Sequence, residues 1–215
     1  MIRSLLLALA ALLLVGCVET RFESPPGERI QRCDETWKGV WLDRSDDSQV
    51  AGLHVDEQCR SFALTQLEAG GPLRQAPVPL NFVEHRGQRY VVVADAALQD
   101  LVTLPPVHGV DPVPTRNFFI ARYRLRGGTL EIHKVDDRAA ARMVIDGVLQ
   151  GTVSSTLNEL HVYVRGTRED TLRIVETPGL FERRPSIVLE RSRRSLAEIE
   201  AELMRAHALH PRGRN

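Results

Sequence analysis

The stretch Phe118 to His133, FFIARYRLRGGTLEIH, constrains the fold more than any other part of this chain. Phe119, Ala121, Tyr123 and Leu125 alternate with Ile120, Arg122, Arg124 and Arg126, the two-residue period of a strand with one apolar face. Gly127-Gly128 tolerates the backbone angles of a two-residue hairpin loop, and Leu130 and Ile132 resume the alternation on the return strand. One face of the predicted hairpin is core and the other is wet. Shorter segments of the same character surround it. WKGVWLD, CRSFALTQL (Phe62 and Leu64 on one face), and the pair LNFVEH and QRYVVVA about a turn at Gly87 come before. ELHVYVR comes after, with Leu160, Val162 and Val164 inward and His161, Tyr163 and Arg165 outward, and SIVLER is a last strand. The expected fold is mainly β, a small antiparallel barrel or a strongly curved sheet with two or three helices.

The period changes in DDRAAARMVIDG, where Asp136 caps a helix, Ala140, Met143 and Val144 share a face, and Gly147 ends it. A short helix is expected over 168–176. In RSRRSLAEIEAELMRAHAL, Ser195 and Glu198 form a capping box ahead of a stripe of Leu196, Ile199, Leu203 and Met204. This stripe is expected to dock on its own domain; the alternatives are binding a partner and contact of Arg193, Arg194, Arg205 and Arg212 with anionic headgroups. Proline-rich loops cover 70–79 and 105–114, the second long enough for a lid or an interaction loop.

The amino terminus gives an address. Leu5 to Val15 is an unbroken run of Leu, Ala and Val behind Arg3, too short for the roughly 20 residues that span a bilayer but of the length found in signal peptides. Leu14-Val15-Gly16-Cys17 follows and resembles the lipobox of bacterial lipoprotein precursors. The resemblance implies cleavage before Cys17 and acylation of its thiol and amine. The alternative is a non-lipidated signal with an incidental cysteine. Two or more acyl chains, at about 0.8 kcal/mol per buried methylene, give a stable membrane anchor. Val18 stands where an aspartate would resemble the inner-membrane retention signal, so the analogy points to the outer membrane, periplasmic face. The expected organisation is a signal peptide over 1–16, lipidated Cys17 with a flexible tether over 17–29, and one domain over 30–215.

Cys33 and Cys59 then remain as a pair, which in an oxidising compartment predicts a disulfide. Closing that loop contributes roughly 3.5 kcal/mol in the chain-entropy model. A metal site recruiting His54 is the alternative, without supporting ligand spacing. The 28 basic and 28 acidic residues balance, and the arginines are scattered among carboxylates, which argues against nucleic acid as a partner.

Gly39-Val40-Trp41 on the first strand of the domain, an antiparallel series and a helix after the last strand together resemble lipocalins. In that family the tryptophan closes one end of a barrel and an arginine near the final strand packs over its ring; Arg191 is the matching residue here. The resemblance implies a small apolar ligand inside the barrel. The helical segment at 136–147 interrupts the family's strand series, and its Thr-Asp-Tyr motif is missing. Trp37 is expected nearer the open edge and more replaceable than Trp41. LEIHKVDDRAAARMVIDGVLQGTV also resembles a region of proteobacterial lipoproteins that carry no assigned activity.

Other constellations give little chemistry. DRSDDS at 43–48 lacks the alternate acids, glycine and distal glutamate of a calcium loop. The seven histidines are spread along the chain, with His133 and His161 expected on outward strand faces. Ser154-Ser155 lacks a nucleophile-elbow context. No catalytic residue, metal ligand set or cofactor motif emerges. The sequence therefore predicts a non-enzymatic envelope lipoprotein that carries a lipid-like ligand or binds a protein partner, with a periplasmic hydrolase as the rival. Replacing Cys17 by Ala is expected to abolish incorporation of radiolabelled palmitate; equal labelling of wild type and variant would contradict the anchor.

Overall fold

The computed structural model describes residues 18–44, 51–65, 77–98, 117–155 and 159–209. Cys17, the signal segment, most of the acidic turn, the 105–114 loop, His108, His210 and Arg212 lie outside them. Among the described residues no helix is long and apolar enough to cross a membrane.

Among the described residues twelve strands form one mixed sheet: β1 (Val18–Phe22), β2 (Gly39–Asp43), β3 (Ala51–Val55), β4 (Arg60–Thr65), β5 (Val78–Pro79), β6 (Asn81–His85), β7 (Gln88–Ala94), β8 (Phe118–Arg126), β9 (Thr129–His133), β10 (Gly151–Ser155), β11 (Leu160–Val164) and β12 (Ile187–Arg191). Antiparallel ladders link β2 to β3 to β4 to β5, and β6 to β7 to β8 to β9 to β12, which returns to β2. β5 and β6 are separated only by Leu80, whose N–H donates to Cys59 O at 3.2 Å. Val78, Leu80 and Phe82 keep the inward alternation across the gap, so these two strands are one bent stretch of chain. The ladder from β4 is narrow there, with only Arg60–Pro79 and Ser61–Val78 paired. Pro79 has no N–H to extend it. The result is a strongly curved sheet that is not closed into a barrel, since among the described residues no ladder joins β5 to β6.

The concave side holds the main core, with Trp37, Trp41, Leu53, Phe82, Tyr123 and Leu130 among its buried side chains. The hairpin predicted at 118–133 is β8–β9, turning at Gly127 and Gly128, both at positive φ. Its outer face departs from expectation. Arg124 and Arg126 are exposed, but Phe118, Ile120 and Arg122 lie under a second layer. That layer contains α1 (Asp137–Ile145), α2 (Arg168–Ile174) and the extension β1–β11–β10, joined in a core around Phe22, Val92, Ile120, Val162 and Leu180. Asp136 caps α1 through Ala139 N at 3.0 Å, and Gly147 leaves it at φ 74°. On β11, His161 and Tyr163 are buried like Val162 and Val164, with His161 beside its register partner Glu19 on β1. His133 does face outward, yet it too is buried, with Nδ1 3.0 Å from Glu182 O.

The tether expected at 17–29 is corrected at its start. Val18 to Phe22 pairs parallel with β11 over five residues, meets β8 at Phe118, and buries Glu19, Thr20, Arg21 and Phe22. The sequence is polar there because the strand's partners are polar, not because the segment is solvated. Arg21 bonds Glu19 at 2.5 Å and faces Asp95 at 3.3 Å; Thr20 donates to Asp137 at 2.7 Å. Burial pushes the Asp95 and Asp137 carboxyls above the usual range, against the pull of Arg21 and of Thr20.

α3 (Leu196–Leu209) starts at the expected box, Ser195 with Glu198, and lies on the outer face of β2 and β4. Ile199 and Leu203 pack on Val40, Leu42 and Leu64, whereas Met204 is 53 % exposed. The stripe is therefore docked and one residue narrower than its period suggests. Ile199→Ala and Leu203→Ala are each expected to cost about 2–4 kcal/mol. Met204→Ser should stay within about 0.5 kcal/mol. Urea unfolding measures all three, and equal small losses would place α3 off the sheet.

Candidate functional site

The closed end of the curved sheet is built from the residues around Gly39-Val40-Trp41. Asp34 accepts from Thr36 N at 2.9 Å and starts a 3₁₀ turn, Glu35–Trp37, that crosses the mouth of the interior. Trp37 drops into it, fully buried, edge-on to Tyr123 with ring centroids 5.0 Å apart and 5.3 Å from Phe82. Trp41 is fully buried beneath, its Nε1–H donating to Trp37 O at 2.6 Å. Arg191 lies with its guanidinium carbon 4.3 Å from the Trp41 ring centroid. Its Nη1 donates to Lys38 O at 2.6 Å and its Nη2 to Thr36 O. Gly39 sits at φ 114°, and a Cβ there would stand 3.1 Å from Arg191 Nη1, so both backbone and space select glycine.

The expected pairing of Trp41 with Arg191 is thus in place, while the expectation for Trp37 is overturned: Trp37 plugs the end rather than lining an open edge. The disulfide Cys33–Cys59 ties this plug to the β3–β4 turn, with Cα atoms 5.2 Å apart. Tyr123 OH donates to Asp34 Oδ2 at 2.5 Å. Burial works to raise the Asp34 carboxyl, but hydrogen bonds from Thr36 and Tyr123 outweigh it and hold its pKa below the usual value. Burial and the Asp34 bond push the Tyr123 phenol far up, so it stays a neutral donor.

The outer layer carries the accessible chemistry. Where β1 ends, Glu23, Ser24 and Pro25 form one wall of a cleft of about 840 Å³. Phe118, Leu149 and Ile174 give it an apolar floor, and Arg165, Arg168 and Arg173 stand on its rim. Arg168 pairs with Glu28 and Arg173 with Glu169 and Asp170; Arg165 has no ion pair among the described residues. Val148, 64 % exposed, borders the cleft, and Ile145, 71 % exposed, is three residues before it.

Two arrangements were beyond the reach of sequence reasoning because they join distant segments. In a hollow of about 430 Å³, His85 Nε2 lies 2.9 Å from Glu176 Oε1, with Arg86 on the other oxygen and Arg122 stacked over Phe181. No hydroxyl or thiol is hydrogen-bonded to His85 among the described residues. The second is a row across β1, β11 and β10: Glu19 is the register partner of His161, and His161 that of Ser154. His161 Nδ1 is 3.1 Å from Glu19 Oε1, but no hydrogen bond joins Ser154 to the ring. Among the described residues no group of three or more His, Cys, Asp or Glu could hold a metal ion.

A double-mutant cycle on the closure follows from this geometry. Trp41→Ala and Trp37→Ala are each expected to cost about 3–5 kcal/mol. Arg191→Ala should cost about 1–3 kcal/mol, combining a half-wet cation–π contact with two hydrogen bonds to carbonyls. Those hydrogen bonds survive loss of the Trp41 ring, so the coupling between Trp41 and Arg191 should be only about 0.5–1 kcal/mol. Urea unfolding gives the four stabilities, and strict additivity would remove the stacking contact from the account. Comparison of the chain with family models, with curated proteins and with solved structures returns no match, so the functional reading rests on these side chains alone.

Proposed function

We propose that the protein is a lipid-anchored envelope module of the outer membrane's periplasmic face that binds a protein partner and catalyses no reaction. The observation that carries this reading is where space is found. The concave interior, the place a lipocalin-like carrier would keep its ligand, is packed with Trp37, Trp41, Phe82 and Tyr123. The open cleft lies outside, with an apolar floor, cationic rim and exposed Val148 and Ile145 beside it. An amphipathic open groove suits a protein surface better than a small apolar molecule, which favours enclosure. Carriage of a lipid-like ligand is the weaker form of the same reading.

A hydrolase is the second reading, and the Ser154–His161–Glu19 row favours it. The order of groups is that of a nucleophile, a base and a carboxylate that orients the base. Glu19 is shared with Arg21, which supports a structural role for the carboxylate. Labelling of Ser154 by a fluorophosphonate would establish the hydrolase and end the non-enzymatic proposal.

Native mass spectrometry separates partner binding from carriage. The purified domain is expected at its bare mass, and a photo-crosslinker at position 148 should join one partner that a crosslinker at Val188, exposed elsewhere, does not. Stoichiometric lipid retained through delipidation would favour carriage and contradict the proposal.

A further inference from the structure

We infer that β1 makes the anchor almost zero-length, seating the Val18 end of the domain directly on the bilayer; the inference rests on the lipid anchor proposed above. Cys17 and Val18 share a peptide bond. Val18 is already the first residue of a strand whose five positions are all paired with β11, and which is pinned at its far end where Phe22 meets Phe118. One residue of chain reaches about 3.5 Å, so acyl chains on Cys17 leave no slack between the headgroups and the sheet.

Slack cannot be gained by peeling the strand away. Arg21 is 1 % exposed, bonded to Glu19 and ion-paired with Asp95, Glu19 also holds His161, and Thr20 is bonded to Asp137. Drawing β1 out would leave Asp95 and Asp137 buried without those partners. Val18, 38 % exposed, pairs with Leu160, which sits beside Ser155, and this rim faces the membrane. The cleft begins at Glu23, five residues on, which a strand covers in about 17 Å. Whatever the tilt of β1, the Glu23 wall of the cleft lies within about 20 Å of Cys17. Its partner is therefore a protein at the membrane surface, not one held deep in the surrounding compartment.

The test uses the full lipidated protein in vesicles of phosphatidylethanolamine and phosphatidylglycerol, digested with trypsin. Arg29 and Arg32 are exposed and report that the protease has access. Cleavage after Arg21, read as the Cys17–Arg21 lipopeptide by mass spectrometry, is expected to be at least about 100-fold slower than after Arg29. A second form carries ten Gly and Ser residues and one Arg between Cys17 and Val18. Trypsin should release its domain to the supernatant, and neutron reflectometry on a supported bilayer should find a water layer beneath it that the wild type lacks. Acylated Cys17 with equal cleavage at Arg21 and Arg29, or with the same water layer in both forms, would overturn the seating while leaving the anchor intact. Absence of acyl groups on Cys17 would overturn the anchor, and the seating with it.

Discussion

The stack of Arg191 on Trp41 is the contact on which the rest of this architecture depends. The two residues are register partners on β12, the last strand, and β2, a strand from the other end of the chain. Between β9 and β12 the chain crosses to the far end of the sheet to build α1, β10, β11 and α2, and it must then return between β9 and β2. The planar Arg191 cation over the buried indole, which also bonds the carbonyls of Thr36 and Lys38, joins the β9–β12 ladder in holding that return in register. The same bonds hold the 3₁₀ turn that inserts Trp37. Closing the end and filling the interior are thus one event.

β1 obeys a different logic. Its contribution is polar: a guanidinium, two carboxylates and an imidazole brought together away from water. Ion pairs of this kind add little net stability, but removing one partner leaves an uncompensated charge, so they select one arrangement strongly. Glu19 serves both Arg21 and His161, which couples the anchor-proximal strand to the edge strands β11 and β10. The segment nearest the proposed lipid is therefore among the most tightly specified in the domain.

Much of the curved sheet was legible in the sequence. The hairpin at Gly127-Gly128, the cap at Asp136, the box at Ser195 and the pair Cys33–Cys59 each follow from local chemistry and appear as expected. What failed shares one cause. Alternation reports that a strand has two faces but not how many layers cover it, so Ile120, His133, His161 and Tyr163 looked outward or wet. The polar stretch after Cys17 reads as a tether because burial among partners 74 to 142 residues away leaves no local trace. Spacing alone places Trp37 on a strand with Trp41, whereas the chain turns there through Glu35–Trp37. The cleft draws its walls from β1, β8, β10's approach and α2, and no single stretch carries its signature.

The central claim is that the interior is full and that binding belongs to the outside. The chain has two tryptophans, Trp37 and Trp41, and both are completely buried in that interior. Their fluorescence in the native domain, titrated with acrylamide and then with palmitate, tests the claim directly. The account predicts almost no quenching by acrylamide and no saturable change with palmitate. A saturable change in tryptophan emission on adding the fatty acid, with the fold intact by circular dichroism, would show that the interior opens to a ligand and would contradict it.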